Sequence, residues 1–213
     1  MIRPLFRRRD GVVIGSSLAL LIILAWMIDP HRPPSFDEAV LQWSAVHLHG
    51  PIGDALLQIY RISGVQVTGV LVLAALIYLV VRRWWRDLGL LVACSGGILV
   101  LVDLILKPLF NRARPPASLL DLEGHSFPSG HAAGAVAFYG AMVVILAWHQ
   151  PRQRRPLLLA AIGWISLVWL STLYARAHWP TDLLGGGCVG LIWLTLCLAY
   201  WRQPGVRGTP PQT

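Results

Sequence analysis

Lysine is almost missing from this chain: of its 18 basic residues all but Lys107 are arginine. Acidic residues are few as well, 10 in 213, and charged residues of both signs make up 13% of the sequence. A water-soluble domain carries about 25%, so this scarcity excludes an ordinary hydrated surface. Cysteine is limited to Cys94, Cys188 and Cys197, an odd number without paired or metal-type spacing, all inside apolar runs. That excludes a disulfide framework or zinc site and leaves them as small buried hydrophobes. No Asp/Glu/His cluster of ligand type appears, and His47 and His49, two residues apart, fall on different faces of a helix. The expectation is no metal and no cofactor. The net charge of +8 does not argue for nucleic acid, because the cations are scattered over short loops and no binding motif is present. There is no internal repeat and no second domain.

What the chain does have is hydrophobic sequence, 55% of it, with a mean hydropathy of +0.59. Crossing ~30 Å of hydrocarbon takes about 20 apolar residues as helix. Six stretches qualify, at roughly 11–29, 64–81, 88–106, 131–148, 157–175 and 183–201. They predict an all-α polytopic membrane protein, a six-helix bundle forming a single domain over 1–203. Pro30, Pro33 and Pro34 end the first run, and the tail 204–213, rich in Pro and Gly, is expected to be disordered. The first run is about 18 residues, too long for a signal-peptide core of about 7–15, and predicts an uncleaved span. Between the first two spans, in segment 35–63, Phe36, Val40, Leu41, Trp43, Val46 and Leu48 recur at helical spacing, which predicts an amphipathic helix on the membrane surface.

Orientation follows from arginine. With alternating spans, the N-terminus, the 82–87 loop, the 149–156 loop and the tail share one side, carrying Arg3, Arg7, Arg8, Arg9, Arg82, Arg83, Arg86, Arg152, Arg154, Arg155, Arg202 and Arg207. The positive-inside rule makes that side cytoplasmic. Trp26, Trp84, Trp85, Trp148, Trp179 and Trp201 fall near span ends, as an interfacial aromatic belt requires.

The other side collects polar groups in a pattern. Lys107 and Arg114 fix positive charge on the loop leaving the third span, where an anion can be approached from water. Ser129, Gly130 and His131 follow Pro128 where the fourth begins; Ser129 is a good N-cap, Gly130 admits an anion close to the backbone, and the helix start favours phosphate. His178 and Asp182 stand four apart before the sixth, a spacing at which a carboxylate holds an imidazole if the turn is helical. Cations, a helix-start glycine and two imidazoles together describe a site for a phosphoryl group.

Lys107-x6-Arg114-Pro115, then Pro128-Ser129-Gly130-His131, then Ser171 through His178-x3-Asp182, resembles the three-part signature of the type-2 phosphatidic acid phosphatase family, over roughly residues 88–190. The resemblance implies metal-independent phosphate ester hydrolysis with His178 as the nucleophile, Asp182 orienting it and His131 protonating the leaving oxygen. It implies that Lys107, Arg114, Ser129 and the Gly130 backbone hold the phosphate oxygens. One position departs from the family pattern: where its third motif has arginine, six residues before the histidine, this chain has Thr172. If the fifth helix runs through 177, Arg176 shares a face with Thr172 and its guanidinium fills the vacated place. Arg112, His125 and Thr172 are further candidates for substrate contact, and Asp103 for pairing with Lys107. Gly185, Gly186, Gly187 and Gly190 are expected to permit close helix packing.

The expected protein is therefore a lipid phosphate or pyrophosphate phosphatase of a bacterial inner membrane, its site facing the periplasm and its termini the cytoplasm. Its partners are phospholipid or polyprenyl (pyro)phosphate substrates and membrane lipids. Two alternatives stand beside it: a phosphotransferase passing the phosphate to a lipid acceptor, and a lipid-binding or flipping protein with a disabled site.

Overall fold

The structure, a computed structural model, describes residues 5–29 and 32–203. The tail 204–213, Arg3, Arg207 and Pro30 lie outside the described residues. Nine α-helices account for most of the described chain: α1 (Arg8–Met27), α2 (Ser35–His47), α3 (Pro51–Ile62), α4 (Val65–Val81), α5 (Trp85–Leu99), α6 (Lys107–Phe110), α7 (Gly130–His149), α8 (Arg154–Tyr174) and α9 (Pro180–Trp201). A π-helical stretch, Val100–Leu106, joins α5 to α6, so the third span is one rod from Trp85 to Phe110. Five helical rods are long and apolar enough to cross a membrane, and a sixth is if α3 and α4, bent by 50° at their junction, count as one span. Their outward faces are apolar, with Trp26, Val70, Leu73, Ile77 and Leu159 more than half exposed. Only a lipid environment makes such a surface stable.

The centre of the bundle is α9, which packs on α1, α5 and α7. Its glycines make that possible. A Cβ at Gly186 would lie 2.4 Å from the Ser129 carbonyl oxygen, and one at Gly190 would lie 2.8 Å from that of Ala133. The α9 backbone thus rests directly on the first turn of α7, as the glycine spacing predicts. At the opposite end of the bundle, Asp87 accepts from Trp201 Nε1 (3.0 Å) and pairs with His149 Nε2 (2.8 Å), while Arg202 pairs with Asp10 at 2.7 Å. These bonds tie α1, α5, α7 and the end of α9 together.

Three sequence expectations change. The segment 35–63 is two helices, because Gly50 adopts φ 64° and Pro51 starts a new helix. On α2, Phe36, Trp43 and Val46 face outward while Asp37, Leu41 and Ser44 are buried against α8 and α9. Lys107 is not on a loop: the third span continues through it, and Asn111, left-handed at φ 46°, turns the chain only afterwards. The fifth helix stops at Tyr174. Arg176 is left-handed (φ 52°), its N–H bonds the Leu173 carbonyl, and the Ala177 N–H bonds that of Thr172. This is a Schellman ending, and it takes Arg176 off the helix face that carries Thr172.

Candidate active site

Four chain segments meet at one end of the bundle. Ser129 caps α7: its hydroxyl oxygen accepts the Ala132 N–H at 3.3 Å, and its own N–H bonds the Asp182 carbonyl at 3.0 Å. The N–H groups of Gly130 and His131 then open the helix, where backbone donors lack intrahelical partners. Lys107 reaches the same place from the third span. A Cβ at Gly130 would lie 3.7 Å from both Lys107 Nζ and Asp103 Oδ1, and these two groups pair at 2.6 Å. His131 stacks on Tyr60 of α3, with ring centroids 4.9 Å apart, and its Nε2 is buried without a hydrogen-bond partner among the described residues. Its ring lies 6.3 Å from that of His178.

His178 itself is 2% exposed, in the short turn between α8 and α9. Its Nδ1 lies 2.8 Å from the Ser126 carbonyl oxygen. A carbonyl only accepts, so Nδ1 carries the proton and the Nε2 lone pair is left bare in the neutral ring. Asp182 Oδ2 stands 3.6 Å from Nδ1, near enough for charge but beyond a hydrogen bond. The reason is local: Trp179 is extended, so 178–182 is not a helical turn, and Oδ2 accepts the Trp179 N–H at 2.8 Å as part of the α9 cap.

The electrostatics follow from burial. Burial holds the His178 imidazole below its ordinary pKa; Asp182 opposes this, and the charges of Arg114 and Lys107 reinforce it. The ring is therefore neutral at neutral pH, the state a nitrogen nucleophile needs. Burial also lowers the Arg114 guanidinium, against the pull of Tyr60, Asp182 and Asp103. Arg114 Nε donates to the carbonyls of Glu123 and Gly124 at 3.2 Å, and Nη1 to that of Ala177 at 2.8 Å. It thereby clamps the loop before Ser126 to the segment before His178. Among the described residues, no three His, Cys, Asp or Glu side chains gather as metal ligands would.

Residues 87–205 match the PAP2 superfamily. This chain belongs to it. It is 29% identical over 184 residues to phosphatidylglycerophosphatase B of Bacillus subtilis, covering 83% of this chain and 89% of that one. It is 29% identical over 145 residues to a putative undecaprenyl-diphosphatase of Escherichia coli, covering 65% and 70%. The fold also matches the crystal structure of a transmembrane PAP2-type phosphatidylglycerolphosphate phosphatase from Bacillus subtilis, with a TM-score of 0.78, 25% identity and coverage of 88% and 94%. The chain is a multi-pass membrane phosphatase of this superfamily.

Within this PAP2 site the structure gathers Lys107, Ser129, Gly130, His131, His178 and Asp182, with Arg114 at its edge. Four other candidates lie elsewhere. Thr172 is fully buried, and its hydroxyl bonds the Val168 carbonyl of its own helix at 2.7 Å, so it is not a substrate contact. Arg176 follows the helix end in a left-handed conformation, and its Nε is buried without a hydrogen-bond partner among the described residues. His125 has no hydrogen-bond partner among the described residues and stays in the loop. Arg112, a candidate for touching substrate, is 1% exposed and bonded to Asp37, Thr181 and Asp182. Sequence reasoning missed the Ser126 carbonyl, Tyr60 and Asp37. A backbone carbonyl leaves no trace in sequence, whereas a carboxylate among the apolar residues of α2 was a visible signal.

Proposed function

We propose that this PAP2 chain hydrolyses a lipid monophosphate or diphosphate at the outer face of a bacterial cell membrane, through a phosphohistidine on His178 and without a metal. The observation that carries this is the buried His178 ring with its proton held at Nδ1 by Ser126. Nε2 is bare, and the His131 ring lies 6.3 Å away, centroid to centroid. Nε2 attacks phosphorus while the ester oxygen leaves with a proton from His131. His131 then takes a proton from the water that attacks the phosphohistidine, and inorganic phosphate departs. Lys107, the Ser129 hydroxyl, the Gly130 and His131 N–H groups and the unused Nη2 of Arg114 neutralise the phosphoryl oxygens as charge builds. The apolar outer face of α4 suits a substrate whose tail stays in lipid. The names of the two curated relatives support a phosphatidylglycerophosphate-like or polyprenyl diphosphate substrate.

Phosphate release by purified wild-type and His178→Ala protein, with phosphatidate, phosphatidylglycerophosphate and undecaprenyl diphosphate in EDTA, tests the proposal. Wild type is expected to release phosphate from at least one and His178→Ala from none. Vanadate, which mimics five-coordinate phosphorus, is expected to inhibit. Release only in the presence of an added lipid alcohol would make the protein a phosphotransferase, and activity lost in EDTA and restored by a divalent ion would overturn the metal-free mechanism.

A further inference from the structure

Arg112 is the largest fully buried side chain among the described residues. An arginine is rarely buried without partners, and here it lies between two carboxylates. Nη2 donates to Asp37 Oδ2 at 2.7 Å; Nη1 donates to Asp182 Oδ1 at 2.5 Å and to Thr181 Oγ1 at 2.8 Å. Asp37 closes the network from α2: its Oδ1 accepts the Thr181 N–H at 2.9 Å and its Oδ2 the Thr181 hydroxyl at 2.6 Å. Neither carboxylate has any exposure. Two anions and one cation leave one net negative charge directly behind His178.

That excess is what the chemistry requires. When Nε2 takes the phosphoryl group and Nδ1 keeps its hydrogen, the ring becomes cationic. Asp182 bonded only to Arg112 would present a neutral pair to that cation. Asp37 offsets the arginine and restores the charge. The planar fork also fixes direction: with Oδ1 held by Nη1, Oδ2 is left facing Trp179 N–H and His178 Nδ1. We propose that Asp37 and Arg112 are positioning residues for His178, setting the orientation of Asp182 and keeping one net negative charge behind the imidazole. This rests on the phosphohistidine reading above.

The test separates charge from geometry. His178 is faced by Asp182 on α9, Lys107 on α6, Arg114 on the loop beyond it and His131 on α7. Asp37→Asn keeps the shape and the bond from Thr181 but removes a charge. It is expected to lower kcat about ten-fold or more with KM nearly unchanged, and to move the acid limb of the pH profile to lower pH by roughly half a unit to one unit, because the imidazolium loses support. Arg112→Lys keeps the charge but not the fork, and is expected to lower kcat without moving that limb. The titration of His178, followed by NMR on histidine-labelled protein and assigned by the signal missing in His178→Asn, is expected to fall in Asp37→Asn. It needs no turnover, so an inert wild type would sink the phosphatase reading while this measurement still decides the positioning role. Folded Asp37→Asn with wild-type kcat and an unshifted His178 titration would overturn the proposal, as would Arg112→Lys at full turnover.

Discussion

At the scale of single residues, surroundings rather than residue type set behaviour. His178 is held neutral by burial, against Asp182. Because the folded state binds its proton less readily than the unfolded chain, stability present above the ordinary imidazole value of about 6.5 is lost as pH falls below it. The acid limb of kcat/KM is therefore expected below pH 6.5, and a limb at or above that value would contradict a neutral nucleophile. Arg176 makes the complementary case. It occupies a left-handed position that glycine fills without strain. Arg176→Gly is expected to raise stability in thermal unfolding by about 1 kcal/mol while turnover stays within a few-fold. A loss on the order of 10²-fold would return Arg176 to the phosphate site.

At the scale of elements, available partners decide which side chains a helix buries. Helix α2 turns Phe36, Trp43 and Val46 outward together with Glu38, Gln42 and His47, and buries Asp37 because its partners Arg112 and Thr181 are inside. Helix α9 shows what glycine contributes to a functional site. A Cβ at Gly186 would press on backbone, the Ser129 carbonyl at 2.4 Å, and no side chain can yield to relieve it. Gly186→Ala is expected to cost roughly 1–3 kcal/mol and to lower turnover by displacing the α7 N-terminus. Gly134→Ala, on α7 with nothing within 4 Å of the added carbon, is the control, expected to be neutral or slightly stabilising. Equal effects of the two on phosphate release and unfolding temperature would refute this account of the helix contact.

At the scale of the whole molecule, the bundle has two unlike ends. One carries the site; the other carries the Asp87, His149, Trp201 and Asp10, Arg202 bonds together with the arginine-rich loops. In the orientation proposed from charge bias, the second end is the cytoplasmic one. Glu123 and Gln153 are both exposed, at opposite ends. In a background lacking the three native cysteines, Glu123→Cys is expected to react with an impermeant thiol reagent on intact spheroplasts and Gln153→Cys only after lysis. The reverse pattern would put the site inside the cell.

Sequence alone determined the spans, because hydrocarbon thickness fixes the length of an apolar helix whatever its neighbours. Predicted limits fall within about three residues of α1, α4, α7, α8 and α9. It also singled out groups close together in the chain that the fold brings to one end of the bundle, Ser129 to His131 and His178 to Asp182, since short spacing leaves little freedom. Tertiary structure decided the rest. Arg112 meets Asp37 across 75 positions, and His178 meets the Ser126 carbonyl across 52. Such pairings are set by how helices pack, and a backbone acceptor has no residue type to read. The Thr172 and Arg176 pairing failed for a similar reason. It assumed a helix that continued, and the helix ends at Tyr174 with a left-handed turn at Arg176. A buried charge network becomes visible only when packing has brought its members within reach of one another.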